Sequence, residues 1–113
     1  MTELSPKLSV CILAYNRPLE LIEALQSLTR QERGDWDILV CEDHSPRSAE
    51  IAEVVRDFSN EHSDIDVHFV INEKNLGYDG NLRNLLDNAS GEYCLFMGDD
   101  DILADRRSIA RKI

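Results

Sequence analysis

Three consecutive aspartates, Asp99 to Asp101, are the residues whose types and spacing most clearly suit chemistry. Unpaired carboxylates this close raise one another's pKa and destabilise a folded chain, whereas a divalent cation relieves the repulsion. Carboxylate oxygens suit Mg²⁺ or Mn²⁺, and Mg²⁺ completes its coordination with water and phosphate oxygens. Two interpretations are therefore open: a cation site for a phosphorylated ligand, or solvated charge at a helix N-terminus.

Three other side chains suit a nucleotide, and each also has a structural interpretation. Tyr15 follows an apolar run and either stacks on a nucleobase or packs as an ordinary aromatic residue. Arg17 and Arg83 either contact phosphate or are surface charges.

Two interpretations also remain for Asp43 and for the segment Asn75-Leu76-Gly77 when each is considered alone. Asp43 either contacts a ligand or caps the following helix, a role for which Ser45 and Ser48 are alternatives. Asn and Gly tolerate positive φ, so the Asn75 segment also suits a simple turn. The specific feature is the order of the polar groups along the chain.

The elements that must position these residues alternate regularly. Apolar runs predict strands covered on both faces, and apolar residues at helical spacing predict the helices between them. The predicted strands are Lys7–Ala14, Trp36–Cys41, Ile65–Ile71 and Tyr93–Met97. The predicted helices run from Pro18 toward Gly34, from Ile51 to Phe58 and from Leu82 toward Gly91, followed by a helical stripe at Ile102, Ile109 and Ile113.

This alternation predicts an α/β fold with a doubly wound, mainly parallel sheet in the order 3-2-1-4 and helices on both faces. The length of 113 residues suits one domain, residues 1–113. Ligands of such sheets bind beyond the carboxyl ends of the strands, where the strand order reverses. Tyr15 and the aspartate triplet are therefore predicted to face one crevice between strands 1 and 4.

The net charge of −10 argues against nucleic acid as a partner, although it permits a small phosphorylated ligand held with a metal ion. No apolar run is long enough to cross a bilayer, so we expect a soluble, cytoplasmic chain. Hydrolase, P-loop and dinucleotide fingerprints are absent from the sequence.

The histidines and cysteines predict no metal or redox site. The three histidines have no pair at ligand spacing, and the three cysteines lack CxxC spacing. We therefore expect surface or internally paired histidines and buried, reduced thiols. These residues are His44, His62, His68, Cys11, Cys41 and Cys94.

Four motifs in order resemble the family 2 glycosyltransferases of GT-A fold, over nearly the whole chain. They are VCILAYNRP, LVCEDHS, NLGYDGNLRN and SGEYCLFMGDDD. The resemblance implies the nucleotide-sugar-binding half of such an enzyme, truncated before its acceptor-binding half. Gly98 departs from the pattern, because many members carry another acidic residue there.

The resemblance also implies a role for each matched residue. Tyr15 and Asp43 would contact the base, with Asp43 at a uracil ring nitrogen, and Arg83 would approach the nucleotide. Asp99 would lie beside the ribose, and either Asp100 or Asp101 would hold the metal. The residues implied to shape the pocket walls are Asn16, Arg17, Asn75 and Gly77.

The implied reaction transfers a sugar from a nucleotide-diphosphate sugar, UDP rather than GDP or dTDP, to a hydroxyl of a glycan or lipid-linked acceptor. It would be inverting and would use Mn²⁺ or Mg²⁺ in glycan or cell-surface polysaccharide synthesis. The general base is expected beyond residue 113, so no catalytic residue is assigned and little activity is expected of this chain. The resemblance leaves membrane association of the parent protein open, since the family includes soluble, peripheral and membrane-spanning members that work at the inner, cytoplasmic face of the membrane. The bare edge of strand 4 suits self-association.

Two alternatives have a weaker basis. A sugar-phosphate nucleotidyltransferase usually has a glycine-rich, basic loop after its first strand, where this chain has AYNRP. A non-catalytic nucleotide- or metal-binding α/β module is the second alternative. A receiver domain of this class places acidic residues after the first strand, where this chain has Tyr15 and Asn16.

Overall fold

Strands and helices alternate without exception in the computed structural model, which describes residues 6–99 and residue 109. The strands are β1 (Leu8–Ala14), β2 (Trp36–Glu42), β3 (Val67–Ile71) and β4 (Tyr93–Gly98). The helices are α1 (Pro18–Thr29), α2 (Ser48–Glu61) and α3 (Gly77–Asn88).

The four strands form one parallel sheet in the order β3-β2-β1-β4, which confirms the predicted topology. Leu8 pairs with Trp36 on one side and with Tyr93 on the other, so the central strands start level. The carboxyl ends of β1, β2 and β4 consequently meet at the same edge of the sheet. The strand order reverses there between β1 and β4.

The two faces of the sheet are covered unequally. The face under α1 and α2 carries the larger apolar core, which includes Ile12, Leu25 and Ile38. Ile109 is fully buried in that core, and its backbone N–H donates to Oε1 of Gln31 at 3.1 Å. The face under α3 has a smaller core, whose buried members are Cys11, Leu39, Cys41 and Leu85.

The helices differ from the predicted patterns at their edges. α1 ends at Thr29, before Gly34, because the chain turns with the N–H of Gln31 donating to the carbonyl of Leu28. Ile22 is 39% exposed and Leu86 is 48% exposed, so neither belongs to the buried stripe of its helix. Apart from Ile109, the predicted stripe at residues 102–113 lies outside the described residues.

The three cysteines are free thiols; Cys11 and Cys41 are buried, as predicted, whereas Cys94 is only partly buried. Burial raises the pKa of Cys41 to about 11 and also raises the pKa of Cys11. Within residues 6–99, no helix has the length and apolar character needed to span a membrane.

Candidate functional site

A cavity of about 680 Å³ opens at the carboxyl edge of the sheet. It lies at the reversal between β1 and β4, where a ligand site was predicted. Of the described residues, those that line it are Leu13, Ala14, Tyr15, Arg17, Asp43, Asn75, Gly77, Tyr78, Asn81, Gly98 and Asp99. Three strand ends and the first turn of α3 thus contribute to one site.

Asp99 and Tyr15 meet at the β1–β4 side of this cavity. The backbone N–H of Tyr15 donates to Oδ2 of Asp99 at 3.0 Å, and the Asp99 residue is 7% exposed. The prediction that Tyr15 and the aspartates face one crevice is confirmed for Asp99. Asp100 and Asp101, the predicted metal ligands, lie outside the described residues.

The turn after β1 places Arg17, but not its neighbour Asn16, among the described residues that line the cavity. Asn16 adopts a left-handed conformation, with φ of 58°, which Asn tolerates better than most residues. Arg17 occupies the N-cap position of α1, and Pro18 begins the helix with its fixed φ.

Asp43 does not cap α2, so that interpretation of the sequence was wrong. The N-cap residue of α2 is Arg47, and no side chain caps it, which also contradicts the alternatives Ser45 and Ser48. Asp43 is 5% exposed and its Oδ1 accepts hydrogen bonds from Nδ2 of Asn72 and from the N–H of Leu76, both at 2.8 Å. The carboxylate is thereby tied to the segment between β3 and α3.

The second oxygen of Asp43 has no such partner. Oδ2 receives no hydrogen bond from any residue between 6 and 99 or from Ile109, and it is not a buried orphan atom. Because Asp43 lines the cavity, we infer that this oxygen is directed toward it. A carboxylate oxygen there can accept a hydrogen bond from a ligand N–H or O–H.

Sequence reasoning missed an asparagine network behind Asp43. Nδ2 of Asn72 also donates to Oδ1 of Asn81 at 2.9 Å, and Nδ2 of Asn84 donates to Oδ1 of Asn72. Nδ2 of Asn81 donates to the carbonyl of Cys41 at 3.3 Å. The three-residue spacing of Asn81 and Asn84 places both on one helix face, but it does not indicate the partners of either. Asn72 and Asn81 are each 4% exposed, which requires such partners.

The Asn75-Leu76-Gly77 segment is both a turn and part of the cavity wall. Nδ2 of Asn75 donates to the carbonyl of Asp43 at 3.1 Å, and the N–H of Gly77 donates to Oδ1 of Asn75 at 3.1 Å. Gly77 begins α3 with φ of 76°, where a side chain is strained. A Cβ at this position would meet nothing within 4 Å, so conformation rather than space requires the glycine.

Helix α3 contributes Tyr78 to the cavity, whereas Arg83, which was predicted to contact the nucleotide, does not line it. Tyr78 lines the cavity with 72% of its surface exposed, and sequence analysis had not singled it out. Arg83 is exposed and does not line the cavity. It follows Asn81 by two residues, about 200° around the helix, and so faces another direction. Contacts of Arg83 and Asn16 with a ligand stay predictions.

The donor atoms around the cavity fit a hard cation better than zinc. Asp43 and Asp99 supply carboxylates, and none of the described lining residues is a histidine or a cysteine. A nucleotide-bound Mg²⁺ or Mn²⁺ would therefore find oxygen ligands at this edge. The ligands predicted for it, Asp100 and Asp101, follow Asp99 directly.

A second group of possible cation ligands lies at the opposite, amino end of the sheet. One ligand atom each of Asp37, Asp66 and His68 lie within 4.8 Å of one another. Nε2 of His68 is 3.1 Å from Oδ2 of Asp66 and 3.4 Å from Oδ2 of Asp37, so His68 has partners that its sequence spacing did not predict. This group is separate from the cavity, so its side chains cannot coordinate a cation there.

The family model for glycosyl transferase family 2 matches residues 9–110. The chain belongs to this family. It is 37% identical over 98 residues to the GalNAc(5)-diNAcBac-PP-undecaprenol beta-1,3-glucosyltransferase of Campylobacter jejuni, covering 87% of this chain and 31% of that protein. It is 33% identical over 97 residues to the abequosyltransferase RfbV of Salmonella typhimurium, covering 86% and 29% respectively. The chain thus spans about a third of the length of these relatives.

Solved structures show the same GT-A architecture. The mannosyltransferase PcManGT from Pyrobaculum calidifontis, in complex with GDP-Man and Mn²⁺, superposes with a TM-score of 0.84 at 21% identity. That match covers 95% of this chain and 31% of the other. TarS 1-349 of S. aureus in complex with UDP superposes with a TM-score of 0.75 at 27% identity, covering 94% and 30%.

Proposed function

We propose that this chain is the donor-binding portion of a glycosyltransferase that builds a glycan or polysaccharide. The observation that carries the proposal is the placement of Asp43 and Asp99 around one cavity at the reversal of a family 2 sheet. Relatives named as sugar transferases support the reaction class.

The proposed donor is a UDP-sugar. Oδ2 of Asp43 suits a ring N–H such as N3–H of uracil, because an ionised carboxylate can only accept hydrogen bonds. Tyr15, which is 47% exposed beside the cavity, supplies an aromatic face for the base. UDP in complex with TarS supports this choice, whereas the GDP-Man complex of PcManGT names the principal alternative.

Asp99 is proposed to hold the ribose side of the nucleotide, with its Oδ2 fixed by the N–H of Tyr15. Asp100 or Asp101 would bind Mn²⁺ or Mg²⁺, which neutralises charge on the leaving diphosphate. Arg17, which lines the same cavity, is placed to contact phosphate. Attack is proposed to invert the anomeric carbon, with the general base outside residues 1–113.

The acceptor is proposed to be a glycan hydroxyl, lipid-linked as in the name of the Campylobacter relative. A lipid-linked acceptor would place the parent protein at the inner face of the membrane. Self-association through β4 is a separate proposal, supported by the exposure of Tyr93 (57%) and Phe96 (47%) on that strand. Light scattering across a concentration series would test it, and a monomer at all concentrations would contradict it.

A thermal-shift titration tests the donor proposal. UDP, GDP and dTDP are added with and without Mn²⁺ to the protein, to Asp43→Ala and to Asp57→Ala, an exposed α2 acid away from the cavity. A ligand at a hundred times its Kd stabilises a fold by about 2.7 kcal/mol, well above detection. We expect Mn²⁺-dependent stabilisation by UDP that Asp43→Ala abolishes and Asp57→Ala retains. Equal responses of the two variants, or none in the folded wild type, would contradict the proposal.

A further inference from the structure

The side chain of Asn72 has a single orientation that satisfies all of its neighbours. One Nδ2 hydrogen is directed to Oδ1 of Asp43 and the other to Oδ1 of Asn81, at 2.8 and 2.9 Å. Its own Oδ1 accepts from Nδ2 of Asn84. Flipping the amide would oppose oxygen to the oxygens of Asp43 and Asn81 and nitrogen to the nitrogen of Asn84. Each of the three neighbours thus opposes a flip.

Helix α3 holds the asparagines that fix this orientation. Asn81 and Asn84 are three residues apart, so they share one face of the helix. Asn81 is itself anchored, because its Nδ2 donates to the carbonyl of Cys41 at the end of β2. A buried polar network in which every member is satisfied rigidifies its surroundings. The helix therefore sets Asn72, and Asn72 sets the carboxylate.

As a result, only one of the two carboxylate oxygens of Asp43 is bonded within the described part of the protein. Oδ1 is occupied by Asn72 and by the N–H of Leu76, whereas Oδ2 has no partner among the described residues and Asp43 lines the cavity. The uncommitted Oδ2 can accept a hydrogen bond from a ligand. Rotation of the carboxylate would break both bonds to Oδ1.

We propose that Asn72 is a positioning residue that sets base selectivity through Asp43. By holding Oδ2 in one position, it favours bases that present a ring N–H there, such as uracil, over cytosine, which presents an unprotonated ring nitrogen at the same place. The inference rests on the proposed function, in that the base is taken to bind at Asp43. Asn72 acts through Asp43, and no contact of Asn72 with the ligand is invoked.

The test compares UDP with CDP, which differ at the ring position that would face Asp43. Dissociation constants for both are measured by calorimetry, with Mn²⁺ present, for the wild type, Asp43→Asn, Asn72→Ala and Asn84→Ala. The control is Asn60→Ala, the same change at an exposed position of α2. The readout is the ratio of the CDP constant to the UDP constant, measured where each variant is folded.

We expect the wild type and Asn60→Ala to prefer UDP and Asp43→Asn to lose that preference. Asn72→Ala should reduce the ratio about tenfold, the size of effect expected when a buried hydrogen bond to a charged group is removed. Asn84→Ala leaves Asn72 bonded to Asp43 but releases its amide orientation, so a reduction of about threefold is expected. Asn84 is partly buried, so this variant preserves the test if Asn72→Ala fails to fold.

Two outcomes would overturn the inference, and they are distinguishable. If Asp43→Asn loses the preference while Asn72→Ala and Asn84→Ala weaken UDP and CDP equally, Asn72 has a structural role alone and the proposed function stands. If the wild type binds neither ligand, or does not distinguish them, the proposed function fails and the selectivity role of Asn72 fails with it.

Discussion

A buried aspartate lies at each end of β2, Asp37 next to its first residue and Asp43 directly after its last residue. The two carboxylates differ in how many of their oxygens have hydrogen-bond partners. At the amino end, Asp37 accepts from the hydroxyls of Ser9 and Ser90 at 2.6 and 2.8 Å, and Nε2 of His68 lies 3.4 Å away. Both of its oxygens are therefore occupied. At the carboxyl end, Asp43 has partners on one oxygen and none among the described residues on the other.

One residue type thus serves two purposes at the two ends of β2. A buried carboxylate whose oxygens are all paired within the protein contributes to stability and specifies packing. A carboxylate with one oxygen left toward a cavity is partly prepared for a ligand, because the remaining oxygen is already positioned. Burial by itself does not distinguish them, since Asp37 is 2% exposed and Asp43 is 5% exposed.

Replacing Asp37 should have the largest effect on stability. Asp37→Ala leaves the buried hydroxyl of Ser9 without its acceptor and removes the bond from the exposed Ser90, at an expected cost of about 3 kcal/mol in the free energy of unfolding. Urea denaturation measures this, with the exposed neighbour Asp35→Ala as the control. The affinity of the folded variant for UDP should not change. A loss of UDP affinity without a loss of stability would reverse the contrast between the two ends.

Asp99→Asn should have the next largest effect, but on binding. The amide keeps an oxygen for the N–H of Tyr15, so the fold is retained, while the negative charge at the cavity is lost. We expect the affinity for UDP with Mn²⁺ to fall about tenfold. Calorimetry on this variant and on Asp79→Asn, an exposed acid on α3, provides the measurement. Equal affinities in the two variants would remove Asp99 from the site.

Gly77→Ala tests the support of Asp43 through a change in backbone conformation. Because Gly77 has φ of 76°, alanine should lower the free energy of unfolding by about 1 kcal/mol and disturb the turn that donates to Asp43. Gly34→Ala is the matched control, since the nearest atom to its new Cβ would be Trp36 Cδ1 at an ordinary 3.8 Å. Urea midpoints and UDP affinities should change for Gly77→Ala and stay near wild type for Gly34→Ala.

At neutral pH the smallest expected effect concerns the thiols between the two ends, which change stability only at alkaline pH. The pKa of Cys41 is raised to about 11 and that of Cys11 is also raised, so the folded state retains protons that the unfolded state loses from about pH 8.5 upward. The stability due to the neutral thiols is therefore complete below that pH and declines as pH rises toward 11. Urea midpoints at pH 8 and pH 10.5 measure the decline, and Cys41→Ala should show a flatter dependence. Identical slopes would contradict this.

The sequence was sufficient for the order of the strands and for the edge where ligands bind. Short apolar runs such as Leu8–Ala14 suit strands covered on both faces, and three short crossovers leave few topologies. Tyr15 and Asp99 could be paired in advance because both follow strands that meet at the reversal. These are consequences of periodicity and chain order.

The asparagine network could not be predicted in the same way. Asn72, Asn81 and Asn84 are ordinary turn and helix residues when they are viewed singly, and their partners lie up to 40 residues away in the chain. The hydrogen-bond partners of Asp43 were equally hidden, because a helix follows it and capping is the common use of such a residue. The partners of His68 come from a neighbouring strand and from the residue two positions earlier. Side-chain partnerships of this kind depend on register, which the sequence pattern leaves undetermined.

The groups that hydrogen-bond to the side chain and carbonyl of Asp43 come from one continuous stretch of the chain. The side-chain partners of Asp43, the residue that anchors its carbonyl and the helix face that backs them all fall within residues 72–84. Under the proposed function, most of the groups that position the base-contacting aspartate therefore lie in a single short cassette rather than dispersed over the sheet. A cassette of this kind can be exchanged between relatives as one graft while the aspartate it serves is left in place, which makes residues 72–84 a natural unit for engineering donor preference.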